Sequence, residues 1–295
     1  MAIHFSNHLH CMAKQIKEGQ LVGFNGVSFS YDIRFDSSKD MDTLVVFCHG
    51  FKGFKDWGHW HLIADFFLEE GISFAKMNYS HNGIKGQETE VFNDLEGFAK
   101  NTYSAELYDL SVFLDHLITL SEDETVDFKY RNLHLIGHSR SGPIVLRSSI
   151  DHPSVRSVIT WASVHSLSYM WERDEFDLEN WLKSGQHHIM NGRTKQMMAV
   201  NAQLYKDFEK NKHLYSTNVI ASKIDIPVLI VHGDSDPAVD VTSAIYLESQ
   251  LKNATVHIVS EGDHVFGGRH PYTATKLPDQ SIELCQTTIE FLKKG

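Results

Sequence analysis

The sequence predicts an α/β protein with a mostly parallel central sheet and helices on both of its faces. Short apolar runs typical of buried strands recur along the chain, and amphipathic helical patterns lie between them. The 295 residues are 42% hydrophobic, which is enough to bury a full core in one large domain or two small ones. Strands that alternate with helices indicate parallel pairing, so both faces of the sheet should be covered.

The first predicted elements are a hairpin and a buried strand. LVGFNGVSFSYDIRF reads as two β runs that turn at Asn25-Gly26, a dipeptide that strongly favours hairpins. TLVVFCHG (43–50) is a continuous apolar strand, and ISFAKMNYS predicts another. Between them lies a helical pattern that ends at Gly71, a typical C-terminal cap, and carries Trp60, Ile63, Phe66 and Phe67.

The rest of the chain continues the alternation. Residues 105–120 predict an amphipathic helix, because apolar side chains recur every three or four positions at Leu107, Leu110, Leu114, Leu117 and Ile118. LHLIGHS, VRSVITWAS, VLIVHG and TVHIV predict strands, and PIVLRSSI predicts a helix after the first of them. A last helix is indicated by Ile282, Cys285, Ile289 and Leu292.

One segment interrupts this pattern. Roughly sixty residues separate the strand that ends near Ala162 from the strand that begins at Pro227, far more than a usual α/β connection. The segment is too apolar for disorder and too long for a loop, so we expect a small helical insertion over the sheet. Its apolar residues include Met170, Trp171, Phe176, Trp181, Met190, Met197, Met198 and Tyr205.

Charge and cysteine content narrow the class of protein. The formal net charge is -11 and the sequence shows no dense Lys/Arg cluster, which argues against nucleic-acid binding. Cys11, Cys48 and Cys285 are far apart, so we expect no disulfide framework and a reducing compartment. The first residues lack the pattern of a secretory signal, and no apolar run reaches the roughly 18 residues that span a bilayer. We therefore expect a cytoplasmic protein that is not anchored to a membrane.

The stretch LHLIGHSRSG (133–142) ends a predicted strand in small polar residues. A side chain at the apex of a tight strand-to-helix turn stands clear of the backbone at the carboxyl edge of the sheet, where open α/β folds bind ligands. Gly137 leaves room for such a turn, and Ser139 would be the exposed nucleophile. The alternative is that Ser139 is a structural N-cap.

The pattern from Gly137 to Ser141 resembles the nucleophile elbow G-x-S-x-G of the α/β-hydrolase family, except that Ser141 replaces the last glycine. The same pattern centred on Ser141 would require glycines at 139 and 143, where Ser139 and Pro143 stand, so the resemblance implies that Ser139 is the nucleophile. We expect this small residue to be tolerated, so that Ser141→Ala would keep most activity. The family's chain order implies an acid and then a histidine: Asp236 in VLIVHGDSDPAVD and His264 in SEGDHVFGG. Asp234 is the competing acid.

The stretch FCHGFKG (47–53) resembles the H-G-x oxyanion loop of the same family. The resemblance implies that the backbone N–H groups of Phe51 and Arg140 hold the oxyanion, which is usually the largest electrostatic contribution to acyl transfer. Residues 1–295 would then form a single α/β-hydrolase domain with a helical cap insertion at about 165–222. HGFKGFKDW, SHNG (80–83) and the insertion look most like the cinnamoyl and feruloyl esterases and the hydrolase domain of acyl-peptide-cleaving enzymes.

This resemblance implies a serine carboxylesterase-type hydrolase that cleaves small carboxylic esters, including aromatic acyl esters, through an acyl-enzyme and without a cofactor. An acyl-peptide or small-peptide serine peptidase is the enzymatic alternative. A binding protein that keeps the fold without chemistry is the alternative from another class. Trp171 and Trp181 would either line an acyl pocket or anchor the insertion.

Several histidines occur in close pairs: His8 and His10, His59 and His61, His187 and His188. The pairs lack a Cys or carboxylate cluster at a recognisable metal spacing, so we expect surface or packing roles and no metal site. Cys48 lies inside an apolar strand and should be an inert core thiol.

Overall fold

The computed structural model describes residues 14–39, 41–86 and 91–294. In this part of the chain the strands are β1 Lys14–Val22, β2 Ser28–Asp36, β3 Thr43–Cys48, β4 Ser73–Met77, β5 Asn132–His138, β6 Val155–Trp161, β7 Gln186–Met190, β8 Met197–Asn201, β9 Val228–Gly233 and β10 Ala254–Val259. The helices are α1 Trp60–Glu69, α2 Leu95–Ala99, α3 Tyr103–Glu122, α4 Ser141–Asp151, α5 Leu178–Ser184, α6 Gln203–Tyr215, α7 Thr217–Ala221, α8 Thr242–Gln250 and α9 Asp279–Leu292.

Eight of the described strands form one sheet in the order β1-β2-β4-β3-β5-β6-β9-β10. β1 pairs with β2, and β2 with β4, in antiparallel fashion, whereas all the other neighbours in this sheet are parallel. The first hairpin turns through Asn25 (φ 52°) and Gly26 (φ 78°), the left-handed conformations that an Asn-Gly turn requires. The predicted α/β class and mostly parallel sheet are confirmed.

Two apolar clusters cover the two faces of the sheet. On one face, α1 and α9 pack on the strands through Ile63, Phe67, Leu284 and Ile289. On the other, α3, α4 and α8 bury a larger cluster that includes Leu110, Phe113, Leu114, Val145 and Leu247. Because the sheet is covered on both sides, its strands are apolar almost throughout, as predicted for β3, β5, β6 and β9.

The insertion between β6 and β9 contains α5, α6 and α7, but it is not purely helical. β7 and β8 form an antiparallel hairpin with paired residues from Gln186↔Asn201 to Met190↔Met197. Its turn is held by Asn191, whose side-chain oxygen accepts hydrogen bonds from the N–H groups of Arg193 and Thr194. The expectation of a helical insertion missed this hairpin. The division into one domain and a cap at about 165–222 stays a prediction.

Aromatic packing holds the insertion together. The Trp181 side chain is buried, its Nε1–H donates to the Val200 carbonyl over 2.8 Å, and its ring lies 5.9 Å from that of Trp171. Trp171 also contacts the rings of Tyr205 and Phe208 on α6. These contacts join α5, the hairpin and α6 in one packed unit.

Cys48 and Cys285 are free and buried in the described part of the chain, and burial raises the pKa of the Cys48 thiol to about 12. Cys11, His8 and His10 lie outside the described residues. Across residues 14–39, 41–86 and 91–294, no helix has the length and apolar character needed to cross a bilayer. The cytoplasmic location stays a prediction.

Candidate active site

The turn between β5 and α4 places Ser139 at the carboxyl edge of the sheet. Ser139 has φ 56°, a left-handed conformation that costs a non-glycine residue about 1–3 kcal/mol and persists where the surroundings enforce it. Here the Ser139 N–H donates to the Trp161 carbonyl over 2.9 Å, and the Ser139 carbonyl accepts from the Gly142 N–H over 3.1 Å. A Cβ at Gly137 would collide with the Ser141 carbonyl. The elbow is therefore a strained turn that glycine at 137 makes possible.

Ser141 has a larger part in this turn than its small size suggested. Its buried hydroxyl donates to the His49 carbonyl over 2.5 Å and accepts from the Tyr79 hydroxyl over 3.0 Å. His49 lies at the end of β3, directly before the predicted oxyanion loop. Ser141 therefore ties the start of α4 to that loop, a role for the hydroxyl that sequence reasoning missed.

The structure brings Ser139, His264 and Asp236 into one hydrogen-bonded chain. The Ser139 hydroxyl lies 3.0 Å from His264 Nε2, and His264 Nδ1 lies 2.8 Å from Asp236 Oδ2. With Nδ1–H donating to the carboxylate, Nε2 is free to accept the serine proton. The turn after β5 carries the serine, the loop after β9 the acid and the loop after β10 the histidine, so residues that are far apart in sequence meet at one edge of the sheet.

Asp236 is held as a carboxylate. Burial raises the pKa of this fully buried side chain, but hydrogen bonds from His232 and His264 outweigh that effect and place the pKa well below its usual range. The N–H groups of Ala238 and Val239 also donate to Asp236 Oδ1, over 2.8 and 3.0 Å. Ionised Asp236 can therefore fix the tautomer of His264.

Asp234, the competing acid, points elsewhere. Its Oδ1 accepts a hydrogen bond from the Glu261 N–H over 2.7 Å and faces solvent. Asp263 closes the turn of the histidine loop by accepting from the N–H groups of Val265 and Gly267. Of the acids in these loops, the structure thus places Asp236 at the imidazole.

Two further histidines support this chain, and sequence reasoning missed both. His138 Nε2–H donates to the His264 carbonyl over 2.8 Å, and burial lowers the pKa of His138 to about 3, so the ring stays neutral. His232 Nε2 lies 2.9 Å from the Val239 carbonyl and 3.4 Å from Asp236. Both could have been noticed in the sequence as polar residues inside apolar strands. His138 comes directly before Ser139, and His232 comes directly before Gly233.

The predicted oxyanion loop passes close to the serine. A Cβ on Gly50 would lie 2.8 Å from Ser139 Cβ, so glycine permits this approach. Among the described residues, neither the Phe51 N–H nor the Arg140 N–H has a protein acceptor. Arg140 follows Ser139 in the chain, and Phe51 follows Gly50, which approaches Ser139 in space. Both predicted donors therefore have an N–H group available to a substrate oxygen.

The Arg140 side chain is neutralised beneath this loop. Its guanidinium pairs with the buried carboxylate of Glu106 on α3, and Asn101 donates to the same carboxylate oxygen over 2.7 Å. The guanidinium carbon also lies 4.4 Å from the centroid of the Phe51 ring. Sequence reasoning missed Glu106, whose approach depends on how α3 packs against α4.

Two cavities adjoin His264, and the larger one is also lined by Ser139. The larger, about 300 Å³, is lined by Ser139, His264, Phe51, Lys52, Tyr103, Arg140, Val164, Ser166, Leu167, Tyr169, Met170, Arg173, Ile189, Ala238 and Val239. The smaller, about 200 Å³, is lined by His264, Phe51, Lys52, His49, Gly50, Gly53, Trp57, Trp60, His138, Asn191, Arg193 and Val265. Both the sheet and the insertion contribute walls, so the insertion covers the serine.

Trp171 and Trp181 line neither of these cavities among the described residues. Trp171 instead faces a separate cavity with Tyr205 and Phe208, and Trp181 is buried within the insertion. These positions favour the anchoring alternative over a pocket role. No cluster of three or more His, Cys, Asp or Glu suited to a metal occurs in the described ranges. Of the histidine pairs, His59 bonds Ser281 and lies in the core.

A mostly parallel sheet in which a strand–serine–helix turn meets an acid and a histidine from later loops defines the α/β-hydrolase fold, and this chain has that fold. Known structures agree. A putative hydrolase from Agrobacterium vitis S4 aligns with a TM-score of 0.71 at 18% identity, over 94% of this chain and 98% of the other. Est1E from Butyrivibrio proteoclasticus with ferulic acid bound aligns with a TM-score of 0.70 at 18% identity, over 92% and 97%.

Among curated proteins, the human serine hydrolase BPHL is similar to part of the chain. It is 23% identical over 166 residues, which cover 52% of this chain and 56% of that protein. The match thus spans about half the length of this relative. No protein-family model matches the sequence.

Proposed function

We propose that this protein is a serine hydrolase that cleaves small carboxylic esters through an acyl-enzyme intermediate. The observation that carries the proposal is the hydrogen-bonded chain from Asp236 through His264 to Ser139, open to a cavity of about 300 Å³. A serine hydroxyl is a weak nucleophile at neutral pH and needs an adjacent base that a third group orients. The distances among Ser139, His264 and Asp236 support these three roles.

In the acylation step, Ser139 Oγ attacks the ester carbonyl carbon while His264 Nε2 takes the hydroxyl proton. The carbonyl oxygen becomes an oxyanion, which the N–H groups of Phe51 and Arg140 stabilise. The intermediate collapses when His264 gives the proton to the leaving alcohol, and the acyl group stays on Ser139. Asp236 remains ionised and stabilises the imidazolium.

Deacylation repeats these steps with water. His264 Nε2 removes a proton from a water molecule, which attacks the acyl carbon, and the same proton returns to Ser139 as the carboxylic acid leaves. His138 acts on this step indirectly, because its hydrogen bond to the His264 carbonyl fixes the loop that carries the base. No cofactor is needed for either step.

The apolar part of the cavity supports an acyl group of moderate size, including an aromatic one. Val164, Leu167, Met170, Ile189 and Val239 form one wall beside Ser139. Est1E, which has the same fold, has been seen with ferulic acid bound. A cavity of about 300 Å³ is at the lower end of the range for small-molecule sites, which suits a small ester.

The test is active-site labelling combined with a panel of esters. A fluorophosphonate probe should label Ser139, and p-nitrophenyl and hydroxycinnamate esters should be hydrolysed. Ser139→Ala should lose both labelling and turnover, with a melting curve like that of the wild type, whereas Ser249→Ala, on an exposed face of α8, should keep both. A protein that neither reacts with the probe nor cleaves any ester would favour the binding-protein alternative. Cleavage of acyl-peptides in preference to esters would favour the peptidase.

A further inference from the structure

The two cavities beside Ser139 are positively charged in a chain whose formal net charge is -11. Lys52, Arg140 and Arg173 line the larger cavity, and Lys52 and Arg193 line the smaller one. No Asp or Glu is among the described residues that line either cavity. The site therefore concentrates cations on a protein that is otherwise acidic, and such a cleft attracts anions.

Two of these cations already have a carboxylate. Arg140 pairs with the buried Glu106, so its charge is compensated inside the protein. Arg173 lies 4.0 Å from Glu175, and both side chains are largely exposed. Arg140 therefore has no uncompensated charge for a ligand, whereas Arg173 is held only by a weak, exposed ion pair.

Lys52 differs from them. It follows Phe51 in the predicted oxyanion loop, has φ 58°, and is the cation that the two cavities share. Within the described ranges, no carboxylate or hydrogen-bond acceptor lies at bonding distance from its ammonium, which lies 5.8 Å from the centroid of the Phe51 ring. Burial lowers the pKa of Lys52, because its charged form is partly removed from water.

An ammonium that is partly removed from water and has no protein carboxylate at bonding distance is stabilised when it pairs with an anionic ligand. Lys52 is one residue from the amide assigned to the carbonyl oxygen, so an anion that pairs with it would lie close to the ester group. We propose that the preferred substrates of this protein are esters that carry a carboxylate, and that Lys52 binds this carboxylate. The inference rests on the proposed ester hydrolysis and names its substrate class.

Two matched pairs of esters test the inference and show on which side of the ester the carboxylate lies. The acyl pair is p-nitrophenyl hydrogen glutarate against p-nitrophenyl valerate, and the alcohol pair is meta-acetoxybenzoate against meta-acetoxybenzamide. In the wild type, kcat/KM should favour the charged member of at least one pair. The preference should shrink as salt is raised, because ions screen a partly exposed pair.

Lys52→Gln should lower the ratio of charged to neutral kcat/KM by about tenfold or more, the effect typical of losing one charge-assisted hydrogen bond. Gln has the same Cβ as Lys, so the backbone at φ 58° is equally strained in both. Lys52→Glu should lower the ratio further. Lys252→Gln is the control. It removes an exposed lysine that pairs with Asp225 and lines neither cavity, so it should leave the ratio of charged to neutral kcat/KM at the wild-type value.

The outcomes separate the two proposals. If the wild type cleaves neutral esters with no preference for the charged member of either pair, the inference is overturned and the proposed function stands. A Lys52→Gln variant with the wild-type ratio also overturns it. If no ester is cleaved and the fluorophosphonate probe labels nothing, the proposed function fails and the inference falls with it.

Discussion

The carboxyl edge of the sheet and the insertion that covers it are built by different means. At the edge, Ser139, Asp236 and His264 each follow a strand of one parallel sheet, so strand direction places them at the same edge, and the loops after β9 and β10 bring the acid and the histidine to the serine. In the insertion, side-chain packing around Trp171 and Trp181 decides where each element lies. The placement of residues at the sheet edge can be deduced from the order and direction of the strands. The arrangement of the insertion depends on side-chain contacts that no short motif specifies.

The sheet edge and the insertion therefore contribute differently to the candidate site. The edge provides the reacting groups, held by a strained turn and by buried hydrogen bonds. The insertion provides cavity walls such as Met170 and Ile189 and the cations Arg173 and Arg193. We therefore expect changes at the edge to act on the rate of every ester, and changes in the insertion to act on stability or on the choice of ester.

The largest effect should come from the acid at the edge. Asp236→Asn should lower kcat by about ten-thousand-fold, because an amide does not hold His264 in the tautomer that accepts the serine proton. Asp234→Asn is the matched control, since Asp234 lies two residues away and bonds the Glu261 N–H instead. Steady-state kinetics on both variants with one p-nitrophenyl ester decide the point. A larger loss in Asp234→Asn would move the acid to that position.

A second large effect concerns stability in the insertion. Trp181→Ala removes a buried indole and its hydrogen bond to Val200, and such truncations commonly cost about 3–5 kcal/mol of unfolding free energy. Leu182→Ala, at the neighbouring exposed position, should cost far less. Chemical denaturation of both variants measures the difference. Equal stabilities would show that Trp181 does not anchor the insertion.

Prediction from sequence succeeded where local chemistry and strand order were sufficient. The Asn25-Gly26 hairpin, the apolar strands and the elbow at Ser139 each follow from a few adjacent residues. Asp236 and His264 were predicted from the family's chain order, and in the structure both lie next to each other at the sheet edge; their catalytic roles stay a prediction. The choice of Asp236 over Asp234 agrees with the geometry.

Prediction failed where several distant elements meet. The hairpin of β7 and β8 was missed because its strands are short and half-polar, and α2 and α8 were missed because they are short. Glu106 approaches Arg140 only after α3 has packed beside α4. The pairing of Ser141 with His49 likewise joins two strand ends and cannot be deduced from the motif in which Ser141 occurs.

A smaller effect tests that pairing. Ser141→Ala leaves the buried His49 carbonyl without its donor, which should lower the unfolding free energy by about 1–3 kcal/mol and lower kcat more than it changes KM, because the oxyanion loop is loosened. This revises the expectation, based on size alone, that Ser141→Ala would keep most activity. Ser149→Ala in the same helix removes a bond to the Leu146 carbonyl and should leave kcat unchanged. An unchanged kcat in Ser141→Ala would return Ser141 to the role of a small filler.

The last prediction distinguishes the two regions by their response to acid. The described residues outside the insertion, which we call the sheet region, include the buried histidines His49, His59 and His134. Burial lowers the pKa of each to about 4. In the insertion, His165, His187, His188 and His213 are half-buried or exposed. Acid should therefore weaken the sheet region first.

The direction in which the unfolding free energy changes with pH follows from proton binding. A histidine in the unfolded chain has a pKa of about 6.5, so between pH 6.5 and about 4 the unfolded state binds protons that the folded state does not. The stability that each neutral, buried histidine contributes is complete above about pH 6.5 and is lost progressively as the pH falls to about 4.

His134→Gln should reduce the slope of unfolding free energy against pH in this window by up to about 1.4 kcal/mol per pH unit, the contribution of one proton. Ser157→Ala removes the hydroxyl that His134 bonds over 2.7 Å but leaves the imidazole buried, so it should lower stability and keep the slope. Denaturant titrations of the three proteins across pH 4 to 7 measure both quantities, and a wild-type slope in His134→Gln would show that this histidine does not make the sheet region acid-sensitive.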